Sequence, residues 1–246
     1  MPYQSPVIVQ SKVFFDWNQD NFTSYQVSFD NITKQGNAII IVSCSGTETV
    51  NSVTDDASGG TNSYSTDFSS ALGGLNLKYF SCPNGKAAKQ ITFGLTGSGS
   101  LQLVMMEVSG LALSAIKDQT ALLENGYHGG GGTGQPFTSS LTSTTTQAGE
   151  LAVGFAINIY PGNVTWTDDS PWSFVGMSHL DGLRVAVNTL LSVGTYAYTG
   201  TWTLGTEIDV YAAIVTYDLG LLPAGGPSGS VGEPEFVWGG TDGMGD

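Results

Sequence analysis

Short apolar or alternating segments recur along the whole sequence, and turn residues separate them at short intervals. The segments include NAIIIVSC (37–44), SLQLVMMEV (100–108), ELAVGFAINIY (150–160) and IDVYAAIVTYDL (208–219). SALGG, PNGKA and TGSGS are among the turn-forming stretches between such segments. A succession of short strands and turns is typical of an antiparallel sandwich or barrel, so we predict an all-β chain with two packed sheets.

Two features of the sequence leave alternatives open. SGLALSAIKDQTALLEN (109–125) has apolar residues at mixed spacing, and a short helix is one of its possible structures. TKQGNAIIIVSC (33–44) and TTQAGELAVGFAI (145–157) each contain Thr, Gln, Gly, one polar residue and then a buried strand. Two related halves built from paired Greek keys would produce this repeated pattern, and so would two unrelated units of a turn and a strand.

The charge of the chain excludes one class of partner. Its formal net charge is −14, with only seven Lys and Arg residues among 246. Binding to nucleic acid requires a cluster of cationic side chains that displace counterions from phosphate. We therefore expect neither nucleic acid nor an anionic membrane surface as a partner.

The sequence shows no pattern for membrane insertion or export. No segment reaches the roughly 18 apolar residues of a membrane-spanning helix. The start, MPYQSPVIVQSKVFF, lacks the basic head and apolar stretch of a signal peptide. We expect synthesis in a host cytoplasm without a signal peptide.

The glycine-rich stretch ENGYHGGGGTGQPFTSS (124–140) contains the spacing G-x-G-x-x-G at Gly129, Gly131 and Gly134. In a dinucleotide-binding loop such glycines follow a buried strand and open a helix whose N-terminus holds the phosphate. The proline and β-branched residues that follow disfavour a helix, and Arg184 is the one cationic residue after residue 117. We predict that residues 128–135 form an exposed loop that binds no nucleotide.

Residues for hydrolytic or zinc chemistry are few. The chain has no G-x-S-x-G segment, and its two histidines, His128 and His179, lie in predicted turns. Cys44 and Cys82 are too far from the histidines in sequence to form a local zinc-binding cluster. Cys44 is predicted to be a buried small side chain, and a disulfide between the two cysteines remains open. We predict a protein that is not an enzyme.

Two pairs of adjacent aspartates are the candidate metal ligands. Asp55 and Asp56 lie in VTDDASGG, and Asp168 and Asp169 lie in WTDDSPW. Aspartates in turns usually bond to the local backbone, whereas carboxylates and carbonyls in loops also suit calcium. Paired carboxylates across a cleft would suit a glycosidase. We expect turn formation first, with calcium as the alternative and no other cofactor.

Aromatic side chains mark a candidate sugar site. NIYPGNVTWTDDSPWSF (158–174) places Tyr160, Trp166 and Trp172 around a segment rich in turns. Exposed aromatic faces with nearby amides and carboxylates bind sugars. The competing interpretation, which we favour, is that these side chains cap the end of the core.

The sequence changes character at Gly220. GLLPAGGPSGSVGEPEFVWGGTDGMGD (220–246) is acidic, rich in Gly and Pro, and free of Lys and Arg, which is typical of a disordered tail. Its apolar cluster, Phe236, Val237 and Trp238, is the part whose burial could offset the cost of ordering the segment. We predict an extended C-terminal arm (residues 220–246) that contacts another subunit through these three residues.

Several stretches carry a family resemblance. They are GNAIIIVSCSG with VNSVTDDASGGTNSY, LQLVMMEVSGL, IKDQTA, TTTQAGELAVGFA and YAAIVTYDL, over about residues 22–219. In order and spacing they resemble jelly-roll modules of tailed-phage virion proteins and of bacterial surface or polysaccharide-associated proteins. The resemblance implies a jelly-roll β-sandwich domain over residues 1–219, with SAIKDQTA as an extended edge segment. It implies no catalytic residues.

These observations lead to an expected function. We expect a non-enzymatic structural protein of a phage particle, a capsid decoration (cement) or head-fibre protein on the capsid surface. Its partners would be other virion subunits, either the capsid protein or copies of itself. The alternative is a glycan-binding module, such as a tail adhesin or carbohydrate-binding domain, that recognises a host surface glycan.

Overall fold

The computed structural model describes residues 5–16, 22–123, 127–129, 132–158, 164–178, 182–204 and 208–220. Over these residues the chain forms antiparallel strands and no helix, which confirms the predicted all-β class. Within the same residues, therefore, no helix is present that could cross a membrane.

The first half of the structure (residues 5–111) contains eight strands in two sheets. The strands are β1 (Val7–Asp16), β2 (Ser24–Ser28), β3 (Ala38–Ser45), β4 (Val50–Asp55), β5 (Ser65–Leu72), β6 (Leu75–Cys82), β7 (Gln90–Leu95) and β8 (Leu101–Ser109). The larger sheet has the order β1-β8-β3-β6-β5, and the smaller sheet has the order β2-β7-β4.

The second half (residues 112–220) repeats this arrangement. Its strands are β9 (Lys117–Leu122), β10 (Tyr127–Gly129), β11 (Gly132–Thr138), β12 (Leu151–Asn158), β13 (Thr165–Asp168), β14 (Ser173–Met177), β15 (Leu183–Thr189), β16 (Thr199–Leu204) and β17 (Ile208–Tyr217). The larger sheet has the order β10-β17-β12-β15-β14, with β9 also paired to β17, and the smaller sheet has the order β11-β16-β13. With β9 and β10 together in the place of β1, the two halves have the same strand order.

The two copies of the repeated sequence pattern lie at equivalent positions of the two halves. Each copy contributes the central strand of the larger sheet, β3 or β12. Gly36 and Gly149 each come two residues before that strand, with φ of 92° and 87° respectively. Left-handed backbone of this kind favours glycine. The repeated motif is therefore a glycine turn that starts a central strand, which supports the interpretation as two related halves.

The four sheets pack as four layers, with the two larger sheets inside. One apolar core lies between the larger sheets and includes Val42, Met106, Phe155 and Val215. A second core separates the two sheets of the first half, and a third separates those of the second half. Four sheets are present where the sequence predicted two. The reason is that β3 and β12 are buried at every residue, so each larger sheet is covered on both faces.

The strands of the smaller, outer sheets bury one face only. In β7, Ile91, Phe93 and Leu95 are buried and alternate with more exposed residues, as expected of a strand with one face on a core. The described part of the segment, residues 109–123, forms no helix, and it includes β9, an extended strand that pairs with β17. This arrangement matches what the family resemblance implied for SAIKDQTA.

The two cysteines are free thiols on opposite faces of one sheet. Cys44 of β3 lies in the core between the larger sheets, and Cys82 of β6 lies in the core of the first half. The sheet between them excludes a disulfide. Burial raises the pKa of both thiols, that of Cys82 to about 11.

Candidate functional site

The glycine-rich stretch forms strands where the sequence predicted a loop. Tyr127–Gly129 is β10, paired with β17, and Gly132–Thr138 is β11, paired with β16. Pro136 is accommodated because β11 lies at the edge of its sheet. Of the predicted exposed residues 128–135, Thr133 and Gly134 are exposed and Gln135 is half-buried, and the side chains of residues 128–132 lie outside the part of the chain that the structure describes. A strand follows the glycines in place of the helix that a phosphate loop requires, as predicted.

Of the two histidines, the structure describes only the backbone of His128. The backbone of His128 pairs with Asp209 in the sheet. The side chain of His128 and the whole of His179 lie outside the described residues.

Asp55 organises the loop that follows β4. Its carboxylate accepts hydrogen bonds from the N–H groups of Ala57 (3.2 Å) and Asn62 (3.0 Å), the side-chain amide of Asn62 (2.7 Å) and the hydroxyl of Tyr64 (2.8 Å). Burial acts to raise the pKa of Asp55, but these hydrogen bonds outweigh it and the pKa is lowered. Asp56 accepts the N–H groups of Lys89 and Gln90. Both side chains therefore act as backbone anchors.

Asp168 forms a buried ion pair. Its carboxylate accepts hydrogen bonds from Nε and Nη2 of Arg184, and the Tyr198 hydroxyl donates to it at 2.6 Å. The side chains of Arg184 and Asp168 are only 11% and 6% exposed. The guanidinium also lies 4.5 Å from the centre of the Phe174 ring. These contacts give Asp168 a structural partner, and its neighbour Asp169 begins a turn by accepting the N–H of Trp172 at its carbonyl.

The candidate sugar-binding aromatics differ in exposure. Trp166 is 7% exposed in the core of the second half, where its ring packs on Phe137. Trp172 is half-buried and lies edge-to-face on Tyr198, with ring centres 4.7 Å apart. Tyr160 lies outside the described residues. The structure thus places Trp166 in the core of the second half and packs Trp172 against that core.

A polar groove of about 340 Å³ opens beside the loop that Asp55 anchors. Five of the eight residues that line it have hydroxyl or amide side chains: Thr61, Asn62, Ser63, Ser65 and Asn84. Lys86 also lines the groove, and its ammonium group donates to the carbonyls of Gly59 and Gly60. The groove therefore offers hydroxyl and amide groups beside a lysine whose ammonium group is bonded to the backbone.

The outer edge of β1 is the candidate interaction surface. β1 is ten residues long and, in the described part of the chain, pairs with β8 alone. Val7 and Val9 are 54% and 51% exposed, and Val13 is 36% exposed. A long edge strand with exposed apolar side chains can pair with another chain. Sequence reasoning did not single out these valines, because an edge strand and an inner strand have the same local pattern.

The predicted arm begins near this edge. Gly220 donates its N–H to the carbonyl of Gly110 at 2.9 Å. A Cβ at Gly110 would lie 2.5 Å from the carbonyl oxygen of Ser5, which precedes β1. The candidate anchor residues Phe236, Val237 and Trp238 lie outside the described residues.

Comparison with known proteins finds no matching family model, no similar curated protein and no similar solved structure. The resemblance to jelly-roll modules therefore remains an expectation.

Proposed function

We propose that this chain is a non-enzymatic structural protein of a virus particle, a capsid decoration or head-fibre subunit exposed on the capsid surface. The observation that carries the proposal is the open edge of β1 with its exposed valines. Soluble monomers usually protect such an edge with charges, bulges or a covering segment. β1 has one bulge, between Ile8 and Gln10, and one lysine, Lys12, which pairs with Asp30. Its valines nevertheless stay exposed, which suits a protein that is completed by assembly.

The strand order supports the proposal. In the first half β1 lies beside β8 and β2 lies beside β7. In the second half β9 and β10 lie beside β17, and β11 lies beside β16. A jelly roll would have this strand order if its fifth strand joined the larger sheet. Jelly rolls are double-sheet folds that recur in viral capsid and lectin domains. Their rigid double layers suit a shell or fibre protein.

The candidate site residues support a structural role. Asp55 and Asp56 hold loop backbone, Asp168 holds Arg184, and Trp166 fills a core. Their functional groups are engaged in contacts within the fold.

The occupant that fits the β1 edge is the arm of a second copy, residues 221–246. Phe236 is sixteen residues after Gly220, and an extended chain of that length spans roughly 50 Å. The arm can therefore reach a neighbouring copy. There, Phe236, Val237 and Trp238 would cover Val7 and Val9 while the backbone adds a strand to the sheet.

The test compares three forms of the protein. Sedimentation velocity should show self-association of the intact chain, with loss of association in the Val7→Lys/Val9→Lys variant and in a chain ending at residue 220. Ala71→Lys is the matched control, because Ala71 is exposed on β5 at the opposite edge of the same sheet. In a density gradient of the host lysate, the intact protein should band with virus particles. Protein that remains at the top of the gradient would contradict the proposal.

A glycan-binding module is the second candidate, favoured by the polar groove and by two aromatic rings that lie apart from it. Phe174 is 53% exposed, and Trp172 is half-buried two residues away. On an array of bacterial surface polysaccharides, a glycan-binding protein should give a signal that Trp172→Ala abolishes, with a smaller fall in Tm than Trp166→Ala causes because Trp172 is only half-buried. Trp166→Ala should instead destabilise the fold by about 3–5 kcal/mol, because Trp166 is buried.

A further inference from the structure

Three acidic side chains meet at one end of the larger sheet of the second half. Asp118 lies in β9, Glu150 immediately precedes β12, and Asp218 immediately follows β17. β17 pairs with both β9 and β12, so the sheet brings the three residues together. One carboxylate oxygen from each residue lies within 4.8 Å of the other two.

Glu150 is the unusual member of this acidic cluster (Asp118, Glu150 and Asp218). It is fully buried, with 0% exposure, and its Oε2 has no hydrogen-bond partner. Its Oε1 accepts the N–H of Gln147 at 3.2 Å. A buried carboxylate of this kind is costly unless a proton or a cation neutralises it.

The first half also has a buried carboxylate near the start of its central strand, and hydrogen-bond donors surround it. Asn37 occupies the position equivalent to Glu150, since each follows the glycine turn and precedes the central strand. The buried acid there is Glu107 of β8, which accepts hydrogen bonds from Gln10 Nε2 (2.7 Å), Lys34 N (2.7 Å) and Asn37 Nδ2 (2.6 Å). Three donors thus surround the carboxylate in the first half, whereas two further carboxylates face the one in the second half.

The other two carboxylates are held in place by donors from neighbouring segments. Asp118 accepts the side-chain amide of Gln119 at 2.9 Å and the N–H of Thr146 at 2.8 Å. Asp218 accepts the side-chain amide of Gln147 at 2.9 Å. In the described residues, no Lys or Arg forms an ion pair with any member of the acidic cluster. The two carboxylates are therefore held in position by hydrogen bonds, but no ion pair in the described residues neutralises their charge.

We propose that Asp118, Glu150 and Asp218 bind a divalent cation, and that calcium is the ion that fits the site. All three side chains supply oxygen, the donor that calcium prefers, and zinc would favour nitrogen or sulfur. Asp118 and Asp218 are each partly exposed, so water can complete the six to eight ligands that calcium takes. The ion joins β9, β12 and β17 at the end of the sheet from which residue 220 leaves. This proposal is independent of the virion role.

The experiment uses the intact chain, stripped with EDTA and titrated with CaCl₂ or MgCl₂. A bound ion stabilises the folded state by mass action, so Tm should rise by roughly 5–10 °C when calcium reaches about 100 times its Kd. Isothermal titration calorimetry should give one calcium per chain. If stripping unfolds the protein, refolding on addition of calcium is the supporting result.

Two variants and one control make the test specific. Asp118→Asn/Asp218→Asn should lose the calcium-dependent rise in Tm. Glu150→Gln should also lose it, yet should melt above the wild type in EDTA because the buried charge is gone. Asp169→Asn, at an acid that sequence reasoning had proposed for calcium, should keep the rise. No rise in Tm and no binding heat with up to 10 mM of either cation, or an undiminished rise in the double variant, would overturn the proposal.

Discussion

Individual carboxylates in this protein differ because their surroundings differ. Asp55 is held by four donors, and its pKa is lowered although burial opposes the shift. The pKa of Asp67 is raised, because burial outweighs the hydrogen bonds from Ser81 and Tyr217, which lower it. The sequence could indicate that aspartates in VTDDASGG form a turn, because the partners of Asp55 are within ten residues. It could not pair Asp168 with Arg184, because that contact depends on how β13 and β15 pack.

The lowered pKa of Asp55 predicts a pH dependence. A carboxyl group whose pKa is lower in the folded state stabilises the fold above its unfolded pKa of about 4, and this stabilisation is lost as pH falls through the folded pKa. Asp55→Asn should therefore lower the free energy of unfolding at pH 7 and weaken its decline between pH 5 and pH 2, as measured by urea denaturation. Tyr64→Phe, which removes one donor, should fall between the wild type and Asp55→Asn. An Asp55→Asn variant with the wild-type pH profile would contradict this assignment.

The buried pair of Asp168 and Arg184 predicts a large single-site effect. Asp168→Ala leaves the guanidinium buried without its partner, and should cost about 3–5 kcal/mol of unfolding free energy. Asp168→Leu/Arg184→Met removes both charges and should recover much of that loss. Urea denaturation at pH 7 measures both effects. A cost below about 1 kcal/mol for Asp168→Ala would mean that water reaches the guanidinium.

At the scale of elements, strands were predicted from the local pattern, whereas the number of sheets was predicted wrongly although the pattern indicated it. NAIIIVSC has apolar residues at successive positions, and β3 is accordingly buried at every residue. That pattern already requires a covering layer on both faces, which a sandwich of two sheets does not supply. The glycine-rich stretch was predicted as a loop because the residues around its glycines fit neither a clean strand nor a helix, and Gly and Pro are also depleted in strands. Pairing with β16 and β17 overrides this local preference in β10 and β11.

One face of β12 is made of small residues so that aromatic rings can lie against it. Ala152 and Ala156 face the core of the second half, and Gly154 lies between them along the strand. A Cβ added at Gly154 would lie 2.4 Å from the ring of Tyr198. This face therefore tolerates no added volume at its centre.

Gly154→Ala should consequently destabilise the protein by about 1–3 kcal/mol through overpacking. The expected change is a lower midpoint in thermal and urea denaturation with an unchanged far-UV spectrum. The control is a double-mutant cycle with Tyr198→Leu, in which the cost of Gly154→Ala should shrink because the clashing ring is absent. Equal costs in the two backgrounds would show that Tyr198 is not the source of the strain.

At the scale of the whole molecule, the two halves are joined by a shared core. The core between the larger sheets contains residues of both halves, and the rings of Tyr79 and Phe155 pack across it at 5.6 Å. The Tyr79 hydroxyl donates to the carbonyl of Val153, and the Tyr217 hydroxyl donates to Asp67. Loss of either half would expose one face of this core to water. The halves should therefore unfold together, although each also has a core of its own.

This coupling can be tested because Trp166, Trp172 and Trp202 all lie in the second half. Replacing Trp17 and Trp238 by Phe confines tryptophan fluorescence to that half. In this background, Phe93→Ala removes a fully buried ring from the core of the first half and should cost about 3–5 kcal/mol.

If the shared core couples the halves, Phe93→Ala should move the urea midpoint of second-half fluorescence as far as it moves the midpoint of far-UV circular dichroism. Both probes should report one transition, as expected for cooperative two-state unfolding. Ala71→Lys, an exposed change in the same half, should leave both midpoints in place. A fluorescence midpoint that stays fixed while the circular dichroism curve splits into two steps would show that the halves unfold independently and that the shared core contributes little to their stability.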